Sequence, residues 1–311
     1  MAALPEAMRL AWAQRAARAR SPEKKRARWA WIFLIPALVV VAFVAFYPLA
    51  QTFYLSFTNT RLFSLEPSQF IGIRNYQDLL HDAYFVNAVW VTVSFTVATV
   101  LAEFVLGLII ALVVNSAFRG RSVVRAAMLI PWAIPTVISA QMWKWMYNDI
   151  YGVWNDLLVH RLGILEHNIA FTSNPATSFP AIVLIDVWKT TPFMALLLLA
   201  GLQLISHDLY EAARVDGATR WQSFRRITLP LLRPAIVVAL IFRTLDALRV
   251  FDVFYVVFGS RPDMQTLATY AQQSLVSIAE VGYGSAISVA IFVVIAIFIA
   301  LYLVIFQKEE V

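Results

Sequence analysis

Eight side chains that can carry charge lie inside long apolar stretches of this 311-residue sequence. They are Glu103, Lys144, Asp186, Lys189, Arg243, Asp246, Arg249 and Asp252. A single charge in the middle of a bilayer costs about 2.5–3.5 kcal/mol on insertion scales. These side chains must therefore pair with one another or face a wet cavity, and either outcome places polar chemistry inside a membrane.

Two of these charges share a helix face with an aromatic ring. Asp186 and Lys189 are three residues apart, and Phe193 follows one turn later. A carboxylate acceptor, an ammonium donor and an apolar ring are the groups that bind the hydroxyls and the apolar face of a sugar. The spacing predicts a helix face that could bind a carbohydrate.

A second helix divides its charges between two faces. Arg243 and Asp246 lie on one face, whereas Arg249 and Asp252 turn away from it at about 100° per residue. The first face would line a pathway, and the second would pair with neighbouring helices. Glu103 is a candidate partner for Arg249 or Arg243 in such an intramembrane charge network. The alternative is a buried ion-pair network that only fixes helix packing.

The sequence carries no enzyme signature. It contains no G-x-x-x-x-G-K-[ST] phosphate loop, no H-E-x-x-H metal motif and no nucleophile elbow, and it has no cysteine. We therefore expect neither catalysis nor a metal or cofactor held by this chain. No nucleic-acid-binding module accompanies the net charge of +6.

The composition indicates the elements that carry these charges. The sequence is 60% hydrophobic and 14% charged, with a mean hydropathy of +0.70, which is more apolar surface than a soluble domain can bury. Six apolar stretches reach the about 20 residues that span a bilayer, and they show no two-residue alternation. The predicted fold is all-α, a polytopic membrane protein with a basic segment 1–29 and a transmembrane domain 30–311. Its six helices fall at about 30–54, 88–114, 123–145, 179–202, 235–258 and 285–306.

Basic residues cluster in alternate connections. They crowd the segment before the first helix, the connection between the second and third helices, and the loop 204–233. The opposite connections hold only Arg61, Arg74, Arg161 and Arg261. The positive-inside rule therefore predicts that both termini and loop 204–233 are cytoplasmic, where the basic segments can also meet anionic membrane lipid.

Loop 204–233 carries the start and stop signals of two short helices. Gly217 permits a tight turn after the first helix, and Thr219 can cap a second helix that ends before Pro230. Apolar side chains recur every three residues at Trp221, Phe224 and Ile227. Such a knob could fill a groove on a partner protein. The alternative is an amphipathic helix that lies on the bilayer surface.

The same loop carries a longer pattern. It reads EAARVDG at 211–217 and, after nine residues, ITLP at 227–230. This spacing resembles the signature loop of ABC importer permeases, which inserts a coupling helix into a cleft of the ATPase subunit. The strings FIGIRNY at 70–76, LIP at 129–131, VWKTTPF at 187–193 and FD at 251–252 are similar to the maltose/trehalose class of sugar permeases. Within that class the chain resembles the F-type member of a permease pair.

The resemblance implies a type I ABC importer permease fold and assigns roles by position. The implied coupling residues are Glu211, Ala212, Ala213, Asp216, Gly217, Ala218, Trp221, Phe224, Ile227, Leu229 and Pro230. The residues that fall near the disaccharide-binding positions of the resembling permease are Asp186, Lys189, Thr190, Phe193, Arg243, Asp246, Ala247 and Val250. The implied partners are a second permease in a heterodimer, two ATPase subunits that bind ATP and Mg²⁺, and an external solute-binding protein.

The function implied by the resemblance is import of a di- or oligosaccharide, of the trehalose or maltose type, by alternating access across a prokaryotic cytoplasmic membrane. The alternative is an ion-coupled secondary transporter of a small polar solute, with Asp186, Asp246 or Glu103 as the relay. It would explain the membrane charges but would leave the signature loop without a purpose. A structural membrane scaffold would explain neither.

Overall fold

The fold is taken from a computed structural model that describes residues 26–307. Residues 1–25, which form most of the predicted basic segment, lie outside the described part of the chain, as does Lys308. Regular structure in residues 26–307 is helical, apart from an isolated antiparallel bridge between Thr58 and Phe70. Within this described range, five helices are long and apolar enough to cross a membrane, and one bent helix pair can supply a sixth crossing. The all-α prediction is confirmed.

Helix α1 (Arg26–Leu55) supplies the described part of the first of two compact units, whose boundary in the sequence follows Tyr54. Its 30 residues extend about 45 Å, enough to cross a bilayer with some tilt. A π-helical turn at Ala42–Phe46 comes just before Pro48. The wider turn accommodates the proline, which lacks an N–H and cannot continue the ordinary hydrogen-bond ladder.

The second unit contains thirteen further helices among its described residues and is where the predicted site residues lie. In chain order they are α2 (Arg74–His81), α3 (Ala83–Asn115), α4 (Arg121–Ala127), α5 (Ile130–Ala133), α6 (Thr136–Met146), α7 (Val153–Asn155), α8 (Pro175–Leu202), α9 (His207–Val215), α10 (Arg220–Ser223), α11 (Leu229–Ala247), α12 (Asp252–Phe258), α13 (Leu267–Gln272) and α14 (Val281–Gln307). Short π-helical segments follow three of them, at Asp156–Arg161, Phe224–Thr228 and Gln273–Ser277.

Helix α8 is the most buried of the membrane spans and packs between α3 and α11. Gly107 of α3 lies so close to Met194 of α8 that an added Cβ would stand 2.7 Å from the methionine Cγ. Gly201 of α8 meets Ala235 of α11 at a similarly close approach. These small residues let the three helix axes approach closely, which brings polar side chains from all three helices to one place.

The span predicted over 123–145 is broken in the middle. Helix α5 ends at Ala133, α6 begins at Thr136, and the two parts bend by 86°. Pro135 lacks an N–H and disfavours a helical conformation in the residue before it, so Ile134 is extended, with ψ of 132°. A proline inside a membrane helix favours a kink, and the structure has a full break here instead.

A second break separates α11 from α12. The helix predicted over 235–258 ends at Ala247, and a new one begins at Asp252. Phe251 between them has φ −129° and ψ −62°, which is not helical. The predicted span is thus interrupted at a place where the sequence contains neither proline nor glycine, although Arg220–Phe258 as a whole is still apolar and long enough to cross a membrane.

The connections at the far end of the bundle from loop 204–233 are tied to one another. Arg61 pairs with Glu280 at 2.6 Å, Arg261 donates to the Thr172 carbonyl, and Asn87 donates to the Pro262 carbonyl at 3.0 Å. These contacts join segments that are up to 219 residues apart in the chain. They hold the ends of the spans, and so the broken helices between them, in fixed positions.

Asp82 ties the first turn of α3 to two other helices at this end. Its carboxylate accepts a 2.9 Å hydrogen bond from the Tyr84 amide, a 2.6 Å bond from the Tyr283 hydroxyl and a further bond from the Tyr270 hydroxyl. Partial burial acts to raise the pKa of Asp82, but the hydrogen bonds outweigh it and lower the pKa below its usual value. Asp82 therefore remains charged at neutral pH and joins α3, α13 and α14.

Candidate functional site

A cavity of about 450 Å³ lies where the two helix breaks face α8. The α5–α6 break supplies Trp132, Ala133, Ile134, Pro135 and Thr136, and α8 supplies Asp186, Lys189 and Thr190. The end of α11 and the second break supply Arg243, Asp246, Arg249, Val250, Phe251, Asp252 and Val253. The cavity is thus formed by discontinuous helices, which is the usual construction of a solute site inside a membrane.

Arg243 is the centre of a charge network that joins three helices. Its guanidinium contacts Glu103 of α3 through Nε and Nη2, Asp186 of α8 through Nη2, and Asp246 of its own helix through Nη1. The Nη1–Asp246 distance is 2.8 Å, and the Nη2–Glu103 distance is 3.0 Å. Such a fork-shaped donor suits several carboxylates at once, so Arg243 cross-links α3, α8 and α11.

The members of this network differ sharply in exposure. The side chains of Arg243 and Glu103 are 3% and 0% exposed, and that of Asp186 is 10% exposed. The side chain of Asp246 is 70% exposed. Glu103 is also hydrogen bonded to the Thr190 hydroxyl. Glu103 and Asp186 are therefore largely buried against Arg243, whereas Asp246 offers carboxylate oxygen to the cavity.

Lys189 faces the broken span. Its ammonium donates to the carbonyl oxygen of Ile134 at 2.6 Å and contacts that of Trp132 at 3.4 Å. Both carbonyls are released from helical hydrogen bonds by the break at Pro135. A backbone acceptor inside a membrane needs a partner, and the lysine supplies it.

Trp132 forms an aromatic wall of the cavity. Its ring stacks on Phe193 of α8, with centroids 5.5 Å apart and planes 9° from parallel. Trp132 lines the cavity, and Phe193 supports it from behind. A tryptophan face held flat in this way is suited to the apolar face of a sugar ring.

The structure brings six of the eight predicted substrate residues to this cavity. Asp186, Lys189, Thr190, Arg243, Asp246 and Val250 line it. Phe193 contributes only through Trp132, and Ala247 is buried outside the lining. Six of the eight residues therefore share one cavity, whereas Phe193 and Ala247 lie outside its lining, and contact with substrate stays a prediction for all of them.

Two residues lie where the sequence did not predict them. Arg249 and Asp252 were expected to turn away from the pathway, but both line the cavity. The rotation of about 100° per residue stops at the end of α11, so that expectation is corrected. Of the two predicted partners of Glu103, the structure selects Arg243, and the Arg249 Nε donates instead to the Leu245 carbonyl at 3.2 Å.

The sequence interpretation missed the wall formed by the first break. Trp132 and Thr136 were not singled out, and neither were Phe251 and Val253. The available signal was the pair of prolines that flanks Trp132, at 131 and 135. Two prolines four residues apart in an apolar run favour exposed backbone, and exposed backbone inside a membrane must line a cavity or be buried in protein.

Loop 204–233 begins with a well-capped helix. The Ser206 hydroxyl accepts from the Asp208 amide at the start of α9, and Gly217 closes the helix with φ of +81°. Thr219 and Gln222 then form a reciprocal capping box at the start of α10. The tight turn and the Thr219 cap agree with the prediction.

The predicted coupling residues lie around this turn and on its two helices. All eleven are exposed or half-buried, namely Glu211, Ala212, Ala213, Asp216, Gly217, Ala218, Trp221, Phe224, Ile227, Leu229 and Pro230. The Trp221 side chain is 67% exposed and stacks on Phe224 with centroids 5.4 Å apart. The loop therefore presents an aromatic knob outside the helix bundle.

Pro230 does not end the second helix, contrary to the prediction. The π-helical segment Phe224–Thr228 follows α10 directly, and α11 continues from it with Pro230 in its first turn. The Leu229 amide donates to the Phe224 carbonyl five residues back. A π-helical turn shifts the hydrogen-bond register, so the proline is accommodated without a chain break.

This helical membrane protein has a charged cavity between broken spans and a capped polar loop at one end. These features define its class, which is that of the solute permeases. More specifically, the chain belongs to the family described as binding-protein-dependent transport system inner membrane component, whose family model matches residues 103–310. The resemblance inferred from the signature loop is confirmed.

Named relatives cover nearly the whole chain. It is 45% identical to the trehalose/maltose transport system permease protein MalF of Thermococcus litoralis, over 90% of this chain and 94% of that protein. It is 41% identical to the sulfoquinovosyl glycerol transport system permease protein SmoG of Agrobacterium fabrum, over 94% of this chain and 98% of that protein. It is 39% identical to the trehalose transport system permease protein SugA of Mycobacterium tuberculosis, over 90% of this chain and 89% of that protein.

Solved structures share the fold. A chain of a bacterial ABC transporter involved in the import of the acidic polysaccharide alginate superposes with a TM-score of 0.81 at 23% identity, over 94% of this chain and all of that one. A chain of the alginate transporter in complex with an alginate pentasaccharide-bound periplasmic protein gives a TM-score of 0.79 at 24% identity, over 90% of this chain and 94% of that one. The predicted type I importer permease fold is confirmed.

Proposed function

We propose that this chain is the permease subunit of an ATP-driven importer that carries a di- or oligosaccharide of the trehalose or maltose type. The observation that carries the proposal is the cavity between the two helix breaks, which a single helix, α11, connects to the signature loop. The named trehalose and maltose permeases among the relatives support the substrate class.

The cavity chemistry suits a carbohydrate. Asp246 and Asp252 offer carboxylate acceptors, Arg249 offers guanidinium donors, and Trp132 offers an aromatic face. The volume of about 450 Å³ lies within the range of about 300–1,000 Å³ that is usual for small-molecule sites. These groups would bind hydroxyls at the edge of a sugar ring while its apolar face rests on the tryptophan.

The charge network would serve this site indirectly. Glu103 and Asp186 hold Arg243 in one position, and Arg243 in turn fixes one oxygen of Asp246. We assign Glu103 and Arg243 to positioning and Asp246 to sugar contact, since Asp246 alone of the four is largely exposed. The sequence allowed two interpretations of these charges, a packing network and a binding face. Under this proposal the first would apply to Glu103 and Arg243, and the second to Asp246.

The partners follow from the same proposal. We place loop 204–233 and both termini in the cytoplasm of a prokaryote, where the loop would dock on one of two ATPase subunits that bind ATP and Mg²⁺. A second, similar permease would complete the cavity, and an external solute-binding protein would deliver the sugar. The solved alginate transporter, which was crystallised in complex with a periplasmic protein, supports this kind of assembly.

The mechanism would be alternating access. Closure of the ATPases moves loop 204–233, and rigid-body rocking switches the cavity between outward-facing and inward-facing states. The chain itself catalyses no reaction in this proposal. Its two helix breaks are the places where the spans would bend during this switch.

Reconstitution tests the proposal against ion coupling. The chain is purified with its second permease, ATPases and binding protein, and the complex is placed in proteoliposomes with labelled trehalose or maltose outside. Uptake should require ATP on the loop side and should survive dissipation of proton and sodium gradients. Uptake that continues without ATP but stops when an ion gradient collapses would show that the proposal is wrong.

A further inference from the structure

A hydroxyl–hydroxyl hydrogen bond closes the base of loop 204–233. The Tyr210 Oη of α9 lies 3.0 Å from the Oγ1 of Thr228, the last residue of the π-helical segment. Thr228 is only 4% exposed, and Tyr210 is half-buried. The bond is therefore partly shielded from water, and a hydrogen bond is stronger in such surroundings than in bulk water.

Two features of the loop hold α9 to the chain that follows it. One is the covalent turn at its tip, where the Ala218 amide donates to the Ala213 carbonyl at 2.8 Å. The other is the Tyr210–Thr228 bond at its base. A turn alone would let α9 swing about Gly217, whose surroundings are open. With both attachments, α9 and the start of α11 move as one body.

Thr228 also stands at the start of the helix that reaches the cavity. α11 begins at the next residue, and Arg243 lies fifteen positions further along, roughly 22 Å away at 1.5 Å per residue. Arg243 is joined there to α3 and α8 through Glu103 and Asp186. A displacement of the loop that reaches Thr228 is thus carried by one helix to the residue that cross-links the cavity.

We infer that Tyr210 and Thr228 are positioning residues that pass the movement of the cytoplasmic loop into α11. The inference rests on the proposed function and adds two residues that are not among the coupling residues implied by the resemblance: Tyr210, which precedes the pattern, and Thr228, which lies inside ITLP. Neither residue would touch the sugar or the ATPase. Their hydrogen bond would make loop movement and α11 movement a single event, so its loss should lower the number of sugars carried for each ATP hydrolysed.

The test measures this ratio in the reconstituted complex. Tyr210→Phe and Thr228→Val each remove the bond with little change in shape. We expect each to lower the labelled trehalose carried per ATP by roughly fivefold, the effect of losing one net hydrogen bond. The double variant should be no worse than either single variant, because the same bond is lost. Thr228→Ser keeps the hydroxyl and should retain the wild-type ratio.

The matched control lies on the same helix. The Thr244 hydroxyl of α11 is 2.9 Å from the Tyr302 hydroxyl of α14, away from the loop. Tyr302→Phe removes that bond and should leave the ratio unchanged. Equal ratios in wild type, Tyr210→Phe and Thr228→Val would overturn the inference, as would a loss of coupling in Thr228→Ser. A wild-type complex that takes up no sugar with ATP would instead contradict the proposed function itself.

Discussion

The Lys189 ammonium donates a 2.6 Å hydrogen bond to the carbonyl oxygen of Ile134, the residue at which the α5–α6 span is broken. The break releases backbone carbonyls inside a membrane, where an unsatisfied polar group costs several kcal/mol. Lys189 therefore stabilises the 86° bend that gives the cavity its aromatic wall. A charge predicted from its spacing to contact substrate thus also supports the backbone around the site.

Lys189→Met tests this role, since it keeps the apolar stem and removes the donor. The substitution leaves two carbonyl oxygens without their hydrogen-bond donor. Each such loss destabilises the folded protein by about 1–3 kcal/mol, so the melting temperature should fall. The half-saturating sugar concentration should rise as well, because Trp132 is displaced. Lys144→Met is the control, since Lys144 donates to the Val256 carbonyl at 2.9 Å away from the cavity. Equal half-saturating concentrations in the two variants would contradict the prediction.

Glu103→Ala should be among the most destabilising substitutions in the chain. It removes one partner of a buried ion pair and leaves the Thr190 hydroxyl without its carboxylate. Arg243 keeps Asp186 and Asp246 as partners, so the expected cost is that of the lost charge-assisted hydrogen bonds, about 1.5–3 kcal/mol each. Thermal unfolding of the purified protein in nanodiscs measures it, and Glu166→Ala, at an exposed residue, should stay within about 0.5 kcal/mol of wild type. Similar melting temperatures for the two variants would show that the network does not stabilise the fold.

The sequence predicts the spans well because each is a long apolar run with its own local signal. The structure of loop 204–233 could be predicted equally well, because Gly217 and the cap at Thr219 determine the conformation of only the few residues next to them. The pairing of Glu103 with Arg243 joins residues 140 positions apart and is set by helix packing. Charge counting could narrow the partner of Glu103 to two arginines but could not choose between them.

The helix breaks show where periodicity stops being informative. Pro135 gave a local signal for the first break but not its 86° angle. The second break falls between Ala247 and Asp252 with no glycine or proline. Arg249 lies within this break and Asp252 directly after it, so the rotation counted from α11 placed both on the wrong face, whereas Val250 lines the cavity together with Arg243 and Asp246. Trp132 was missed because one aromatic residue in an apolar run carries no periodic signal.

The Asp82 carboxylate should make the stability of the protein depend on acid pH. Its hydrogen bonds from Tyr270 and Tyr283 lower its pKa in the folded state below the value of 3.8 expected in an unfolded chain. A lowered folded pKa contributes stability that is fully present above pH 3.8 and is lost as the pH falls through the folded value. Melting curves between about pH 7 and about pH 3 should therefore show a loss at the acid end that is smaller in Asp82→Asn. An unchanged acid dependence in that variant would show that Asp82 is not responsible.

Gly217→Pro should abolish transport while leaving membrane insertion intact. The residue has φ of +81°, whereas the proline ring fixes φ near about −65°, so the turn between α9 and α10 must rearrange. Gly120→Pro is the control, because Gly120 has φ of +86° in the connection between α3 and α4. Both variants should reach the membrane in similar amounts, and only Gly217→Pro should lose sugar-stimulated ATP hydrolysis. A fully active Gly217→Pro protein would remove the coupling role from this turn.

Substitution of Asp246 distinguishes a role in sugar contact from a role in helix packing more clearly than substitution of any other member of the network. Its carboxylate pairs with Arg243 at 2.8 Å but is 70% exposed, so its removal leaves Arg243 still held by Glu103 and Asp186. Asp246→Ala should therefore raise the half-saturating sugar concentration about tenfold, equivalent to about 1.4 kcal/mol of lost binding, with little change in melting temperature. Asp263→Ala, which breaks the Arg261 pair at the far end of the bundle, should leave the half-saturating concentration unchanged. If Asp246→Ala lowers the melting temperature while the transport kinetics stay as in wild type, Asp246 belongs to the packing network, and the sugar must be held by other cavity residues.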